Sequence, residues 1–172
     1  MKRTITANWT TDGESECISG AGLQPGQPGT EPLKAVNLLD EAFGTHPERI
    51  SRIIETPSWG FEGQPFLNFC VLYRLPRTGS PEEHALQILD QVKEVEKALG
   101  RDLEEPLFDA DGNRIYRDRI IDIDILCYGA FTIKNHRLIV PHPLIPQREF
   151  AKKPLLEISK PEIREAFPEL FE

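Results

Sequence analysis

Two aspartates, Asp122 and Asp124, alternate with branched apolar residues in the run 119–126, RIIDIDIL. Apolar and charged residues that alternate at period two predict a β-strand. In such a strand the isoleucines face one side and the two carboxylates face the other, about 7 Å apart. Paired carboxylates repel each other unless a cation lies between them, and Mg²⁺ binds oxygen ligands of this kind while it keeps phosphate and water in its other positions. A half-buried strand with a solvated acidic face would show the same pattern, so the rest of the chain has to decide between the two interpretations.

The elements that would position these acids follow from patterns elsewhere in the chain. We predict a strand around 4–9, a loop over 11–30, a helix over 30–43, strands over 50–56 and 66–74, and a helix over 80–100. With the strand that carries the acids, this order is that of the α+β ferredoxin-like fold, βαββαβ, an antiparallel sheet with two helices on one face. A hairpin over 132–140 and a short helix over 161–167 complete the prediction, which requires the first strand to be real.

The predicted helix over 80–100 carries a carboxylate among its apolar residues. It begins with Ser, Pro and Glu at capping-box spacing and ends at Gly100. Its apolar stripe consists of Ala85, Leu89, Val92 and Leu99. Glu96 falls on the same stripe, four residues after Val92. Because burying an unpaired carboxylate is costly, Glu96 must find a partner or a ligand, unless it simply reaches water near the helix end.

Composition limits the classes of function. The 172 residues predict a single domain, 1–172, with a formal net charge of −8. This acidic balance argues against a broad nucleic-acid surface. Three widely spaced cysteines fit neither a disulfide framework nor a zinc site and favour a reducing compartment. No signal peptide and no transmembrane stretch is recognised, so we expect a cytoplasmic protein that does not contact membranes.

Basic and aromatic residues accompany the acid pair. The connection 101–118 is long enough for a lid and carries several arginines. His142 lies between two prolines, which hold it in an extended segment. Aromatic residues before and after the acids could stack on a flat ring. Together these features indicate phosphoryl-type transfer to a heterocycle, a reaction catalysed mainly by positioning and charge neutralisation.

The motifs resemble those of one enzyme family. RIIDIDIL at 119–126, VPHP at 140–143 and REF at 148–150 look like the signature of hydroxymethyldihydropterin pyrophosphokinase of folate biosynthesis. Thr56-Pro57, FLN at 66–68, and Glu96 through Gly100-Arg101 are similar to that family at the right spacings, so the resemblance covers roughly residues 48–160. It implies the ferredoxin-like fold and the transfer of pyrophosphate from ATP to the pterin hydroxymethyl group, with release of AMP.

The resemblance also implies roles for individual residues. Catalytic roles fall to Arg101, Arg119, Asp122 and Asp124, and the two aspartates would be ligands of two Mg²⁺ ions. ATP contacts fall to Glu96, Tyr116, Ile125, Arg137, His142 and Arg148. Pterin contacts fall to Thr56, Pro57, Trp59, Phe66, Asn68 and Phe150. Closure of the lid over these substrates would exclude water, and the family resemblance favours a monomer.

Two departures from the family pattern keep alternatives open. The Gly-Ser-Asn turn that usually follows the first strand is not found in residues 1–30, and Arg117-Asp118 replaces the usual Gly-Pro before Arg119. An active pyrophosphokinase is the first hypothesis. A pterin- or nucleotide-binding protein with impaired turnover is the second. A non-catalytic interaction domain of the same fold is the third, and it leaves Glu96 on the apolar stripe unexplained.

Overall fold

A computed structural model describes residues 14–19, 31–56, 66–100 and 121–172 of the chain. In these ranges the helices are α1 (Glu31–Phe43), α2 (Pro81–Ala98), α3 (Glu149–Ile158) and α4 (Pro161–Ala166), followed by a 3-10 turn at Pro168–Leu170. The strands are β1 (Glu14–Ser19), β2 (Arg49–Ile50), β3 (Ile54–Thr56), β4 (Phe66–Asn68), β5 (Val71–Pro76), β6 (Ile125–Tyr128), β7 (Ile133–Lys134) and β8 (Ile139–Val140). The mixture of helices and small antiparallel sheets is α+β, as predicted.

The largest sheet has four strands in the order β2-β5-β1-β6, and every pairing in it is antiparallel. β1 lies inside this sheet and pairs with β5 along its whole length, from Glu14↔Pro76 to Ser19↔Val71. On its other side β1 pairs with β6, and the register there ends at Ser19↔Ile125. β3 with β4, and β7 with β8, form two further antiparallel pairs. β1 therefore sets the place where β6 begins.

The position of β1 corrects the prediction for the start of the chain. Residues 11–30 were expected to be a loop, but Glu14–Ser19 forms an interior strand. The strand predicted around 4–9 lies outside the described residues. The sequence ESECIS has no apolar alternation that could predict a strand. Hydrogen bonding to partners on both sides, which no local pattern reveals, makes it one.

The start of α2 and the end of α1 are as predicted, whereas position 30, the predicted start of α1, lies outside the described residues. The Ser80 Oγ accepts a hydrogen bond from the Glu83 N–H at 3.3 Å, and the Glu83 carboxylate accepts one from the Ser80 N–H at 2.9 Å. This capping box starts α2. Gly44 follows α1 with φ +67°, a left-handed conformation that favours glycine.

Strands β5 and β6 of the four-stranded sheet carry buried side chains on both faces. On one face α1 and α2 pack over Val71, Tyr73 and Leu75 of β5, in a core that also contains the isoleucines near Asp122; we call this the first core. On the other face, Leu72 and Cys127 pack with α3 and α4 in what we call the second core. α1 and α2 therefore share one core, and the opposite face is covered as well. Because Pro154 lies inside it, the sequence of α3 does not predict a helix.

The two predicted strands on either side of the 57–65 segment are each divided. The run 50–56 becomes β2 and β3, and the run 66–74 becomes β4 and β5. At the division the Ser51 N–H donates to the Cys70 carbonyl at 2.8 Å, and the Cys70 N–H donates to the Ser51 Oγ at 2.8 Å. These bonds join the two segments where the chain leaves the larger sheet and enters the β3–β4 pair. Thr56 and Asn68 therefore lie in the β3–β4 pair and not in the sheet that contains β5. Within the described ranges, no helix is long and apolar enough to cross a membrane.

Candidate active site

The acid pair lies in the segment 121–124 immediately before β6, and the strand itself begins only at Ile125. The prediction of a strand across the acids is therefore wrong in extent, because pairing with β1 ends at Ile125. The predicted alternation nevertheless holds: Ile121 and Ile123 are fully buried in the first core. Asp122 is 9% exposed, and Asp124 is partly exposed. The isoleucines thus anchor the segment that presents the two carboxylates.

Glu96 of α2 holds this segment from the helix side. Its side chain is fully buried, as its place on the apolar stripe predicts. One carboxylate oxygen, Oε1, accepts a hydrogen bond from the Ile123 N–H at 2.5 Å. The other, Oε2, accepts one from the Lys93 ammonium at 2.8 Å. The partner that a buried carboxylate requires is therefore the peptide between the two aspartates, together with a lysine one helical turn away.

The charges around Asp124 define the electrostatics of the site. Burial, and next the carboxylate of Asp122, raise the pKa of Asp124 from 3.8 to about 7. The positive charges of Lys93 and Arg148 oppose this rise in pKa, while the charge of Glu96 adds to it. A divalent cation would relieve the same repulsion. Across the described part of the chain, no three His, Cys, Asp or Glu side chains cluster as metal ligands, so this acid pair would leave most coordination positions to phosphate and water.

His142 and Arg148 stand beside the acids on the chain that follows β8. The His142 N–H donates to the Leu126 carbonyl at 2.7 Å, which attaches this segment to β6. Burial, and then the charge of Arg148, lower the pKa of His142 to about 4, although Asp122 opposes the shift. The ring is therefore neutral at pH 7. Its Nδ1 accepts from the Leu144 N–H at 3.2 Å, so the proton is on Nε2, which is left as a hydrogen-bond donor.

A second group of predicted residues lies where α3 packs against β3 and β4. The Asn68 side chain is 1% exposed, and its amide nitrogen donates to the Thr56 Oγ1 at 2.9 Å. Phe150 stands in the first turn of α3, and the Arg148 guanidinium lies 5.8 Å from the centre of its ring. Arg148 thus lies close to the Phe150 ring while its charge also acts on Asp124.

The remaining predicted residues are placed differently. Arg137, in the turn between β7 and β8, forms an ion pair with Asp90 of α2. Ile125 is 2% exposed in the first core, which leaves little of it for a nucleotide base to contact. The strand β4 includes Phe66. Pro57, Trp59, Arg101, Tyr116 and Arg119 lie outside the described residues.

One residue at the site escaped the sequence reasoning. Lys93 contacts Glu96 and its charge reaches Asp124. The signal was present, because lysine and glutamate three residues apart are neighbours on a helix surface. The apolar stripe predicts that Glu96 needs a partner, but it does not identify which nearby polar residue is that partner.

Comparison with known proteins agrees with this arrangement. The chain matches the 7,8-dihydro-6-hydroxymethylpterin-pyrophosphokinase family over residues 20–160. It is 39% identical over 127 residues to a 2-amino-4-hydroxy-6-hydroxymethyldihydropteridine pyrophosphokinase of Aquifex aeolicus, covering 73% of this chain and 69% of that protein. An enzyme of the same name from Bacillus subtilis is 32% identical over 134 residues, covering 77% of this chain and 71% of the relative. The folate synthesis bifunctional protein of Pisum sativum is 35% identical over 126 residues, which are 73% of this chain and 21% of that protein.

An acid pair whose backbone is fixed by a buried carboxylate, with the charge of an arginine acting on it, is suited to phosphoryl transfer. The chain belongs to the 7,8-dihydro-6-hydroxymethylpterin-pyrophosphokinase family. The family predicted from the sequence motifs is thereby confirmed, and the predicted enzyme class is the one for which these relatives are named.

Proposed function

We propose that this protein transfers pyrophosphate from ATP to the hydroxymethyl group of 6-hydroxymethyl-7,8-dihydropterin in a reaction that depends on Mg²⁺. The pterin hydroxyl oxygen attacks the β-phosphorus and loses its proton. The bond from that phosphorus to the oxygen it shares with the α-phosphorus breaks, and AMP leaves. The observation that carries the proposal is the Asp122–Asp124 pair, with Arg148 and His142 beside it.

The donor set fits a hard divalent cation. Burial, and next the carboxylate of Asp122, raise the pKa of Asp124 to about 7 even though Lys93 and Arg148 oppose the shift, so a bound cation would stabilise the ionised pair at neutral pH. Oxygen ligands with room for phosphate and water suit Mg²⁺ in particular. Asp122 and Asp124 would hold the metal, and the family resemblance implies two ions. When bound, Mg²⁺ supplies neutralisation of charge on the phosphate oxygens.

Different side chains would bind the two substrates. The neutral His142 can donate from Nε2 to a phosphate oxygen, and Arg148 brings positive charge to the same region. Asn68, oriented by its bond to Thr56, is suited to hydrogen-bond a pterin ring, and Phe150 to stack on it. Arg101 and Tyr116 remain proposed lid residues, and Arg119 a proposed catalytic residue, on the evidence of the sequence motifs.

The strand order β2-β5-β1-β6, with α1 and α2 in the connections, supports a ferredoxin-like arrangement. The chain would act as one domain, as a monomer, and in the cytoplasm. Glu96 would act on the nucleotide site through the peptide of Ile123, because both of its carboxylate oxygens already accept hydrogen bonds within the protein.

The decisive assay is AMP formation from ATP and hydroxymethyldihydropterin with Mg²⁺, with a reaction lacking pterin as control. We expect AMP release that depends on pterin. Asp124→Ala should abolish turnover while the protein stays folded, since removal of one of two repelling charges does not by itself destabilise. Full activity of this variant would contradict the metal site. Glu165→Gln on α4, which is exposed, removes one negative charge elsewhere and should leave the rate unchanged.

A binding protein with impaired turnover is the second candidate. The observation that favours it is Arg117-Asp118 in place of the Gly-Pro that usually precedes Arg119. It predicts no AMP, together with pterin binding in calorimetry when an ATP analogue and Mg²⁺ are present. Pterin-dependent AMP release at a catalytic rate would exclude it.

A further inference from the structure

We propose that Lys93 and Glu96 form a positioning pair, which fixes the peptide between Asp122 and Asp124 and so keeps the two carboxylates ready for one cation site. The inference rests on the proposed function, since it requires that these aspartates bind a divalent metal. Neither residue of the pair would touch the metal. Their effect would pass through the Ile123 N–H and through the charge balance beside Asp124.

The contacts of Glu96 support this role. The hydrogen bond from the Ile123 N–H, at 2.5 Å, joins α2 directly to the peptide that separates the two acids. The Ile123 side chain is fully buried in the first core, so this residue is fixed at both its side chain and its backbone. Groups that hold a metal ligand in place typically contribute roughly 10–100-fold to metal affinity.

Lys93 completes the pair by charge. Its Nζ lies 2.8 Å from the Glu96 Oε2, and its side chain is 35% exposed while that of Glu96 is fully buried. Without the lysine, a third negative charge would stand next to Asp122 and Asp124. Without the glutamate, the positive charge of Lys93 would face the two aspartates alone and oppose the binding of a cation there.

Two double variants separate positioning from charge. Lys93→Met with Glu96→Gln, and Lys93→Met with Glu96→Met, both keep the net charge of the protein. They differ in whether position 96 can accept the hydrogen bond from the Ile123 N–H. The probe is Mn²⁺, with affinity measured by electron paramagnetic resonance in the presence of a non-hydrolysable ATP analogue. We expect the Gln variant to bind within about threefold of the unsubstituted protein and the Met variant to bind at least about tenfold more weakly, which is about 1.4 kcal/mol.

If the Met double variant does not fold, a single variant still tests the positioning role. Glu96→Gln alone leaves Lys93 without its carboxylate, and we expect it to bind Mn²⁺ at least about tenfold more weakly. Adding Lys93→Met should restore most of that loss, because the Gln oxygen can then serve the Ile123 N–H without facing an ammonium group. Lys97→Met, an exposed lysine in the last turn of α2, is the control for loss of a charge and should change Mn²⁺ affinity by less than about twofold.

The outcomes distinguish failure of this inference from failure of the proposed function. Equal Mn²⁺ affinity in the two folded double variants, or no rescue of Glu96→Gln by Lys93→Met, would overturn the positioning role alone. If the unsubstituted protein and Asp124→Ala bound Mn²⁺ equally, the metal site would be wrong, and the inference would fall with it. Thermal unfolding of each variant shows whether lost affinity reflects a lost fold.

Discussion

Asp124→Asn should make the metal-free protein more stable at neutral pH while it abolishes turnover. The reason is burial of the Asp124 carboxylate, together with its repulsion by Asp122, which raises the pKa of Asp124 from 3.8 to about 7. Asparagine has nearly the same shape and carries no charge. The substitution therefore removes the repulsion and the desolvation of a carboxylate together.

The magnitude follows from the pKa. At a pH above both values, a folded-state pKa of about 7 against 3.8 would cost up to about 4 kcal/mol, at about 1.4 kcal/mol for each tenfold change in proton affinity. Water reaches this part-exposed side chain and reduces the effective cost, so we expect a gain of about 2 kcal/mol in the free energy of unfolding. For a chain of this length that is a rise in Tm of about 4–8 °C.

The gain in stability from Asp124→Asn should change with pH between about pH 4 and 7. Below about pH 4 the carboxyl of Asp124 is protonated in the folded and the unfolded protein, so the aspartate costs nothing. Between about pH 4 and 7 the unfolded chain ionises while the folded protein retains the proton, and stability is lost as the pH rises. The difference in Tm between Asp124→Asn and the unsubstituted protein should therefore be near zero at pH 4 and full at pH 8.

Thermal unfolding in EDTA at pH 4, 6 and 8 tests this reasoning. Glu165→Gln is the matched control, because it removes one negative charge from an exposed position on α4 and should show no comparable dependence on pH. A variant no more stable than the unsubstituted protein at pH 8, or a gain of equal size at all three pH values, would refute the account of the acid pair.

Three further predictions concern the residues around the acids. Phe150→Ala should weaken pterin binding by roughly 2–10-fold through lost stacking, and ATP binding by less; equal losses for both ligands in calorimetry would contradict its place in the pterin site. Ser80→Ala removes the hydroxyl that accepts the Glu83 N–H and should lower the unfolding free energy by about 1 kcal/mol in urea titrations without changing kcat. A lower kcat in the folded variant would contradict this purely structural role of the helix start. Because the pKa of His142 is lowered to about 4, its ring should stay neutral in NMR titrations from pH 8 to 5, and its contribution to stability should be lost only as the pH falls from about 6.5 towards 4. A ring that becomes protonated near pH 6.5 would be at odds with the site as described.

The sequence by itself determined the family and much of the local structure. Ile121 and Ile123 alternate with the aspartates, and that alternation alone predicts which side chains enter the core and which remain for a ligand. The Ser80 capping box predicts where α2 begins, because its bonds are all within one turn of chain. Likewise, Glu96 on an apolar stripe predicts a buried carboxylate that must be paired, since the cost of leaving it unpaired is local to that residue.

Only the tertiary structure decided which partners these residues take. Glu14–Ser19 is a strand because β5 and β6 lie on either side of it, although its own sequence has no strand pattern. The acids precede β6 rather than lie within it because the pairing of β1 ends opposite Ile125. Glu96 meets the Ile123 N–H, 27 positions later in the chain, because packing of α2 on the sheet brings them together. Contacts between residues so far apart depend on how helices and strands assemble, and a pattern read over one helix or strand cannot contain that information.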